Sequence, residues 1–106
     1  MSELAKKSCV PCEGGVPPMS DIEAEKLIKD LKDWKLHSGK LVKNFEFKDF
    51  KEAMKFVNSV ADTAESEGHH PDIIISYNKV KLELFTHAVG GLSENDFILA
   101  AKIDNL

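Results

Sequence analysis

The sequence predicts an α+β domain in which three helices pack on one face of a single four-stranded antiparallel sheet. Segments with helical and with strand periodicity follow one another in the order α-β-β-α-β-β-α, and a short turn separates the strands of each pair, so those strands run antiparallel. Each segment also has one apolar face, which helices and sheet can bury against each other. Because 106 residues provide only one modest core, we expect a single domain.

The first helix is predicted to begin after Ser20, because Ser20 and Glu23 have the spacing of a capping box. We expect this helix to end by about Asp33. Its apolar side chains fall near one stripe that would face the core. These are Ile22, Leu27, Ile28 and Leu31.

A first hairpin follows, since Trp34 to His37 alternates in polarity, Ser38-Gly39 supplies a turn, and Leu41 to Phe47 alternates again. We expect Leu41 and Phe47 on the same side of the sheet. His37 lies beside this turn, away from the other histidines, and is expected to be a solvated surface residue.

The longest helical pattern covers Asp49 to Glu67, and Gly68 directly after it is a candidate left-handed cap. Ending the helix there would deliver His69 and His70 to the start of the next strand. The apolar stripe of this helix recurs at steps of three and four residues, which is typical of a core-facing side. It consists of Phe50, Ala53, Met54, Val57, Val60, Ala61 and Ala64.

The second hairpin is predicted to turn at Asn78-Lys79, because Asn tolerates positive φ and β-branched runs lie on both sides. This register determines which residues face each other. The expected pairs are Tyr77 with Val80, Ile75 with Leu82, Ile73 with Leu84, Pro71 with Thr86, and His70 with His87. Ile74 and Phe85 would lie on the otherwise polar face, so we expect a subunit contact there or along the open sheet edge.

The last helix is expected after the break at Gly90-Gly91, with Ser93 as its N-cap. Asp96 would then lie in the first turn, where the helix dipole stabilises a carboxylate. The apolar residues of this helix are Phe97, Ile98, Ala101 and Ile103.

Composition excludes several classes of protein. The formal net charge is −4 and all fourteen cationic residues are Lys, so a nucleic-acid groove is disfavoured. No apolar run approaches the ~20 residues of a membrane span, and the N-terminus lacks the apolar segment of a signal peptide. With only two cysteines there is no disulfide framework, and we expect a soluble cytoplasmic protein.

Residues 1–18 are expected to form an arm without helix or strand, before a domain at 19–106. The arm carries Cys9 and Cys12 in a Cys-x-x-Cys motif. Such a pair can be half of a zinc site or a redox pair. Because the chain has no second pair, we favour thiols that only pack or stay free, with metal binding or redox chemistry as the alternatives.

Three of the four histidines, His69, His70 and His87, would meet at one end of the second hairpin if its register is as expected. Imidazoles titrate near neutral pH, with a reference pKa of ~6.5. A cluster of them suits proton transfer or metal binding.

Several separated positions agree, in order and spacing, with the signature of one enzyme family. These positions are Glu65, His69-His70-Pro71, Tyr77, Thr86-His87, Gly91-Leu92-Ser93 and Asp96. The pattern resembles that of pterin-4a-carbinolamine dehydratases, and the resemblance covers roughly Met19 to Ile103.

The resemblance implies the same α+β architecture, homodimers or homotetramers, and no metal or cofactor. It implies a 4a-hydroxytetrahydropterin as substrate, formed when an aromatic amino acid hydroxylase turns over, and a quinonoid dihydropterin as product. His69 and His87 would be the acid-base pair, with His70 binding substrate or assisting. Asp96 and Glu65 would each orient an imidazole or bind substrate.

Two other interpretations remain open. The histidines could ligate zinc with water in the fourth position, although adjacent residues His69 and His70 on an extended chain point to opposite faces. Alternatively, the chain could be a non-enzymatic interaction module, since some relatives of the family are dimerisation partners of a homeodomain transcription factor.

Overall fold

A computed structural model describes residues 3–7, 9 and 18–106 of the chain. Its regular elements follow the predicted order α-β-β-α-β-β-α, and its four strands form one antiparallel sheet with the order β1-β2-β4-β3. The predicted fold class is therefore confirmed. The elements are α1 (Asp21–Leu27), β1 (Lys35–His37), β2 (Lys40–Glu46), α2 (Phe50–Glu67), β3 (Asp72–Ser76), β4 (Lys79–Leu84) and α3 (Glu94–Asp104).

The helix ends predicted from capping residues are confirmed. The Ser20 side chain accepts from the Glu23 amide at the start of α1, and Ser93 forms a capping box with Asp96 at the start of α3. Gly68 ends α2 with φ of 66°, a conformation that costs glycine little. α1 is shorter than expected, since it passes into a 3₁₀ turn at Ile28–Asp30.

The core lies between the helices and the sheet face that carries Leu41, Leu82 and Leu84. α3 is buried on nearly all sides, whereas α2 buries one stripe. Three residues of the predicted apolar stripes, Ile22, Phe50 and Ala61, are instead exposed, Ile22 at 67% and Phe50 at 51%. Ile22 and Phe50 lie in the first turn of their helix.

The first hairpin has the predicted turn, with both Ser38 and Gly39 at positive φ. His37 pairs with Lys40 and is exposed, as expected. On the sheet face away from the core, Ile74 is exposed at 46% and Phe85 is half-buried.

The expected register of the second hairpin is wrong by two residues. Ser76 pairs with Lys79, so the turn lies at Tyr77-Asn78 rather than Asn78-Lys79, and Tyr77 has φ of 52°. A tertiary contact fixes Asn78 at the second turn position, because its side-chain amide donates to the Phe47 carbonyl at 2.9 Å and its own carbonyl accepts from the Phe47 amide at 2.8 Å.

The observed pairs include Ile75 with Val80 and Ile73 with Leu82. A shift of two residues keeps each side chain on its expected face. It does, however, remove the expected opposition of His70 and His87, since the ladder ends at Asp72 and Glu83.

The amino-terminal segment is more structured than expected, since Glu3–Lys6 form a 3₁₀ turn against α3. Leu4 is 3% exposed and belongs to the core. The Ala5 carbonyl accepts from the ammonium of Lys102 at 3.0 Å. Within the described residues, no helix is long and apolar enough to cross a membrane.

Candidate active site

A cleft of about 420 Å³ is lined by His69, His70 and His87. Its volume is within the range of small-molecule sites, ~300–1,000 Å³. The three predicted histidines therefore share one cavity, although not through the strand pairing expected. The remaining side chains that line it are Cys9, Glu67, Phe85, Thr86, Ala88 and Asn95.

Two chain reversals bring the histidines to this cleft. At the end of α2, Gly68 turns the chain, and the His69 amide still donates to the Ala64 carbonyl at 3.2 Å. After β4, a loop closed by paired backbone hydrogen bonds between Thr86 and Gly91 carries His87 at the start of a 3₁₀ turn. Both reversals are short and hydrogen-bonded, so the ring positions depend on local backbone geometry.

His69 contacts the carboxylate of Asp96, with 2.6 Å between Nε2 and Oδ1. The His69 side chain is 12% exposed and Asp96 is fully buried. Because a carboxylate only accepts, Nε2 carries the hydrogen and donates it. In the neutral ring, Nδ1 therefore has the free lone pair.

Asp96 is held by two further donors. Its Oδ2 accepts from the Thr86 hydroxyl at 2.8 Å and from the Ser93 amide at 3.0 Å. Since the single hydroxyl hydrogen of Thr86 is used on Asp96, the Ser93 hydroxyl donates to Thr86 Oγ1, 2.8 Å away. The first turn of α3 and the loop after β4 therefore hold the carboxylate in place independently of its contact with His69.

His70 makes a similar contact in a different environment. Its Nε2 lies 2.7 Å from Oε1 of Glu65, five positions earlier in the chain. Both side chains are largely in solvent, His70 at 62% and Glu65 at 80% exposure. Glu65 does not line the cleft but contacts His70, which does.

His87 packs edge to face on Phe85, with 4.9 Å between ring centroids. Within the described part of the chain, its ring nitrogens have no hydrogen-bond partner. Both are therefore open to a ligand in the cleft.

Together these groups can move protons. His69 can accept a proton at Nδ1 while Asp96 stabilises the charged ring, and His87 can donate or accept one at either nitrogen. No other group of the cleft needs to change charge for such a transfer.

No sequence pattern predicted the other wall of the cleft, which Cys9 and Glu67 form. The Cys9 amide donates to Oε1 of Glu67 at 2.8 Å, and its thiol donates to the Asn95 carbonyl at 3.6 Å. Lys102 lies 3.6 Å from Oε2 of Glu67. Cys9 and Glu67 are 58 positions apart, and no local pattern indicates contacts of that kind.

Burial, reinforced by the nearby Glu67 carboxylate, raises the pKa of the Cys9 thiol from 9.0 to about 12. A thiol that stays protonated is a poor nucleophile and a poor metal ligand. Its suggested partner, Cys12, lies outside the described residues. Among the residues that are described, no three or more His, Cys, Asp or Glu side chains are arranged to hold a metal ion.

Comparison with known proteins adds to this geometry. Residues 17–106 match the sequence profile of the family described as pterin 4 alpha carbinolamine dehydratase. A protein of Nitrosomonas eutropha, named "Putative pterin-4-alpha-carbinolamine dehydratase", is 50% identical over 98% of this chain and 93% of its own length. A protein of Rubrobacter xylanophilus with the same name is 47% identical over the whole of both chains.

Solved structures agree with these sequence matches. A crystal structure from Brucella melitensis, titled transcriptional coactivator/pterin dehydratase, superposes with a TM-score of 0.79 at 30% identity, covering 83% of this chain and 96% of the other. A pterin dehydratase-like protein, described as a RuBisCO assembly factor in the alpha-carboxysome, superposes with a TM-score of 0.59 at 23% identity. That match covers 70% of this chain and 88% of the other and indicates a shared fold alone.

Proposed function

The chain belongs to the pterin-4a-carbinolamine dehydratase family, a family of hydro-lyases, and on that basis we propose that it converts a 4a-hydroxytetrahydropterin to a quinonoid dihydropterin. The observation that carries the proposal is the set of three imidazoles around one cleft, with His69 bonded to a buried carboxylate.

The proposed reaction needs one acid and one base. The acid protonates the hydroxyl on C4a as the C4a–O bond breaks, and water leaves. The base takes the proton from N5, and its electron pair forms the C4a=N5 double bond. Each proton transfer by a positioned group typically contributes ~10²–10⁴-fold to the rate.

We assign the acid-base pair to His69 and His87. The free lone pair on Nδ1 of His69 suits a base, and Asp96 would stabilise the imidazolium that forms. His87, with both nitrogens available, suits the acid. His70 would bind substrate or assist, with Glu65 holding its ring by a solvent-exposed contact.

The physiological role that fits this reaction is recycling of a tetrahydropterin cofactor after an aromatic amino acid hydroxylase has used it, in the cytoplasm. The substrate is then a small molecule released by another enzyme. No residue described above selects the substituent at C6 of the pterin.

The test is a dehydration assay on purified protein, with a 4a-hydroxypterin generated in place. We expect wild type to accelerate its decay well beyond buffer, and His69→Ala and His87→Ala each to lose ~10²-fold or more. His37→Ala is the matched control, because His37 is an exposed imidazole on the other hairpin and should leave the rate unchanged. Wild-type decay no faster than in buffer would refute the proposed enzyme activity.

A second proposed role is self-association, with the chain as an interaction module. The supporting observation is the exposed apolar pair Ile74 and Ile75 on β3, which is an edge strand of the sheet. We propose a homodimer or homotetramer that uses this edge. A His87→Ala variant that keeps its oligomeric state in ultracentrifugation but loses dehydration would separate the two roles, whereas an Ile74→Lys variant that sediments as wild type would contradict self-association there.

A further inference from the structure

Among the described residues that line the cleft, Glu67 is the one carboxylate. It belongs to the last turn of α2, two positions before His69, and its side chain is 14% exposed. None of the proton transfers proposed above uses it. Because this carboxylate lies in a ligand-sized cleft and takes no part in the proposed reaction, it is a candidate for binding the ligand.

Glu67 is held in place on two sides. Oε1 accepts from the Cys9 amide at 2.8 Å, and Lys102 lies 3.6 Å from Oε2. Lys102 is itself fixed by its hydrogen bond to the Ala5 carbonyl. The amino-terminal segment therefore orients this carboxylate at the wall of the cleft.

The carboxylate keeps acceptor capacity after these contacts. An ionised carboxylate has about four lone-pair sites, and the two contacts above use two of them. The histidines and Thr86 are less able to accept two hydrogen bonds from one ligand edge. An imidazole nitrogen accepts only one hydrogen bond, and the Thr86 hydroxyl already bonds to Asp96 and Ser93. Among the described side chains that line the cleft, Glu67 is the one with two acceptor oxygens side by side, so that each oxygen can accept from one of two parallel N–H groups.

A pterin presents such a pair of donors. The edge of its pyrimidine ring carries N3–H and the 2-amino group side by side, the arrangement that a carboxylate binds in bidentate fashion. The reacting carbon C4a lies at the ring fusion, away from this edge. One end of the ligand could therefore be held by Glu67 while the other faces the imidazoles.

We propose that Glu67 is the specificity-determining residue of the cleft, and that its carboxylate binds the N3–H and 2-amino edge of the pterin. The inference rests on the proposed function, since it concerns how the same cleft holds that substrate. It also gives the amino-terminal segment a role, because the Cys9 amide and Lys102 aim the carboxylate.

The test compares two stable ligands, pterin and lumazine, by fluorescence or calorimetric titration. Lumazine has a 2-oxo group where pterin has the 2-amino group. Its carbonyl oxygen would face the carboxylate, and neither group can donate a hydrogen bond to the other. We expect wild type to bind pterin about ten- to a hundredfold more tightly than lumazine, the range for hydrogen bonds to a charged group. Equal binding of the two by wild type would overturn the proposal without any variant.

The variant is Glu67→Gln, which can still accept from the Cys9 amide but cannot accept two ligand donors. We expect its preference for pterin to fall to about threefold or less, and in the dehydration assay KM to rise while kcat stays near wild type, because this edge is bound equally in ground and transition states. A Glu67→Gln protein that folds and keeps the wild-type preference would overturn the proposal.

The matched control is Glu94→Gln, which removes another carboxylate that contacts the amino-terminal segment, through Lys7 at 3.1 Å, but does not line the cleft. It should keep the preference, and a loss there equal to that in Glu67→Gln would show that Glu67 only fastens the segment. Preference for pterin without dehydration would refute the reaction and leave this inference standing. Dehydration without preference would refute this inference alone.

Discussion

His69 and His70 are neighbours in the chain, and each has a carboxylate oxygen within 2.7 Å of Nε2, yet the two pairs lie in different environments. Asp96 is fully buried and accepts from two other donors, whereas Glu65 is a helix-surface side chain exposed at 80%. Contact distance alone does not distinguish them.

Burial and the neighbouring donors determine what each pair can do. An exposed pair is screened by water and contributes about 0–1 kcal/mol, and its two side chains can leave each other at little cost. A buried carboxylate with three donors has one arrangement, so it can fix both the tautomer and the orientation of an imidazole. We therefore expect the first pair to matter for the reaction and the second to matter little.

The largest effect should come from Asp96→Asn. Its oxygen can keep the Thr86 and Ser93 bonds only if its NH₂ group faces Nε2 of His69, where two donors would meet. We expect kcat to fall ~10²-fold or more and the free energy of unfolding to fall by about 1–3 kcal/mol. Chemical denaturation and the dehydration assay measure both, and near-wild-type kcat in a folded Asp96→Asn protein would contradict the role given to the buried pair.

A smaller effect is expected from Thr86→Val, which removes the hydroxyl that donates to Asp96 but keeps the shape of the side chain. Asp96 would retain the Ser93 amide, so we expect a loss of about 1–2 kcal/mol in stability and about tenfold in kcat. Thr86→Ser keeps the hydroxyl and should behave nearly as wild type. Equal losses in the two variants would mean that the methyl group, not the hydroxyl, is what the site needs.

Glu65→Gln should have a still smaller effect, because it alters only the exposed pair. We expect the free energy of unfolding to change by less than about 0.5 kcal/mol and kcat by about twofold or less. The same denaturation and assay series applies. A loss of kcat as large as that of Asp96→Asn would contradict the claim that the buried and the exposed pair have different roles.

The smallest effect on stability at neutral pH should come from Cys9→Ala. Here burial determines the pKa of the thiol. The raised pKa means that the folded state holds the thiol proton more tightly than the unfolded chain does. The resulting stability is complete below pH 9.0 and is lost as pH rises toward about 12. Wild type should therefore lose more stability than Cys9→Ala between pH 9 and 11, and parallel curves in urea denaturation would contradict the raised pKa.

Features set by local backbone chemistry were predictable from the sequence. Ser20, Gly68 and Ser93 each act on the nearest turn of a helix, and the structure has all three caps where the pattern placed them. The Ser38-Gly39 turn is local in the same sense. Together with the helical and strand periodicity of the segments, these elements were enough to predict the fold class.

Features set by contacts between distant segments were not predictable. Asn78 hydrogen-bonds to the backbone of Phe47. With that contact, the hairpin turn lies one position earlier than predicted, and the strand pairing differs from the predicted register by two residues. The cleft was expected from an opposition of His70 and His87 that does not exist, and it forms instead through the loop that begins at Thr86. The sequence did not mark Glu67 as a cleft residue, because its orientation depends on contacts with Cys9 and Lys102, which are both distant in the chain.

The most direct test of the buried pair is the ¹⁵N NMR spectrum of the imidazole rings in wild type, recorded at a pH at which the ¹⁵N shifts themselves show the rings to be neutral. We expect His69 to be a single tautomer with hydrogen on Nε2, and His70 to average between both tautomers. A His69 ring that carries its hydrogen on Nδ1, or that averages as His70 does, would contradict the claim that Asp96 fixes the proton-transferring histidine.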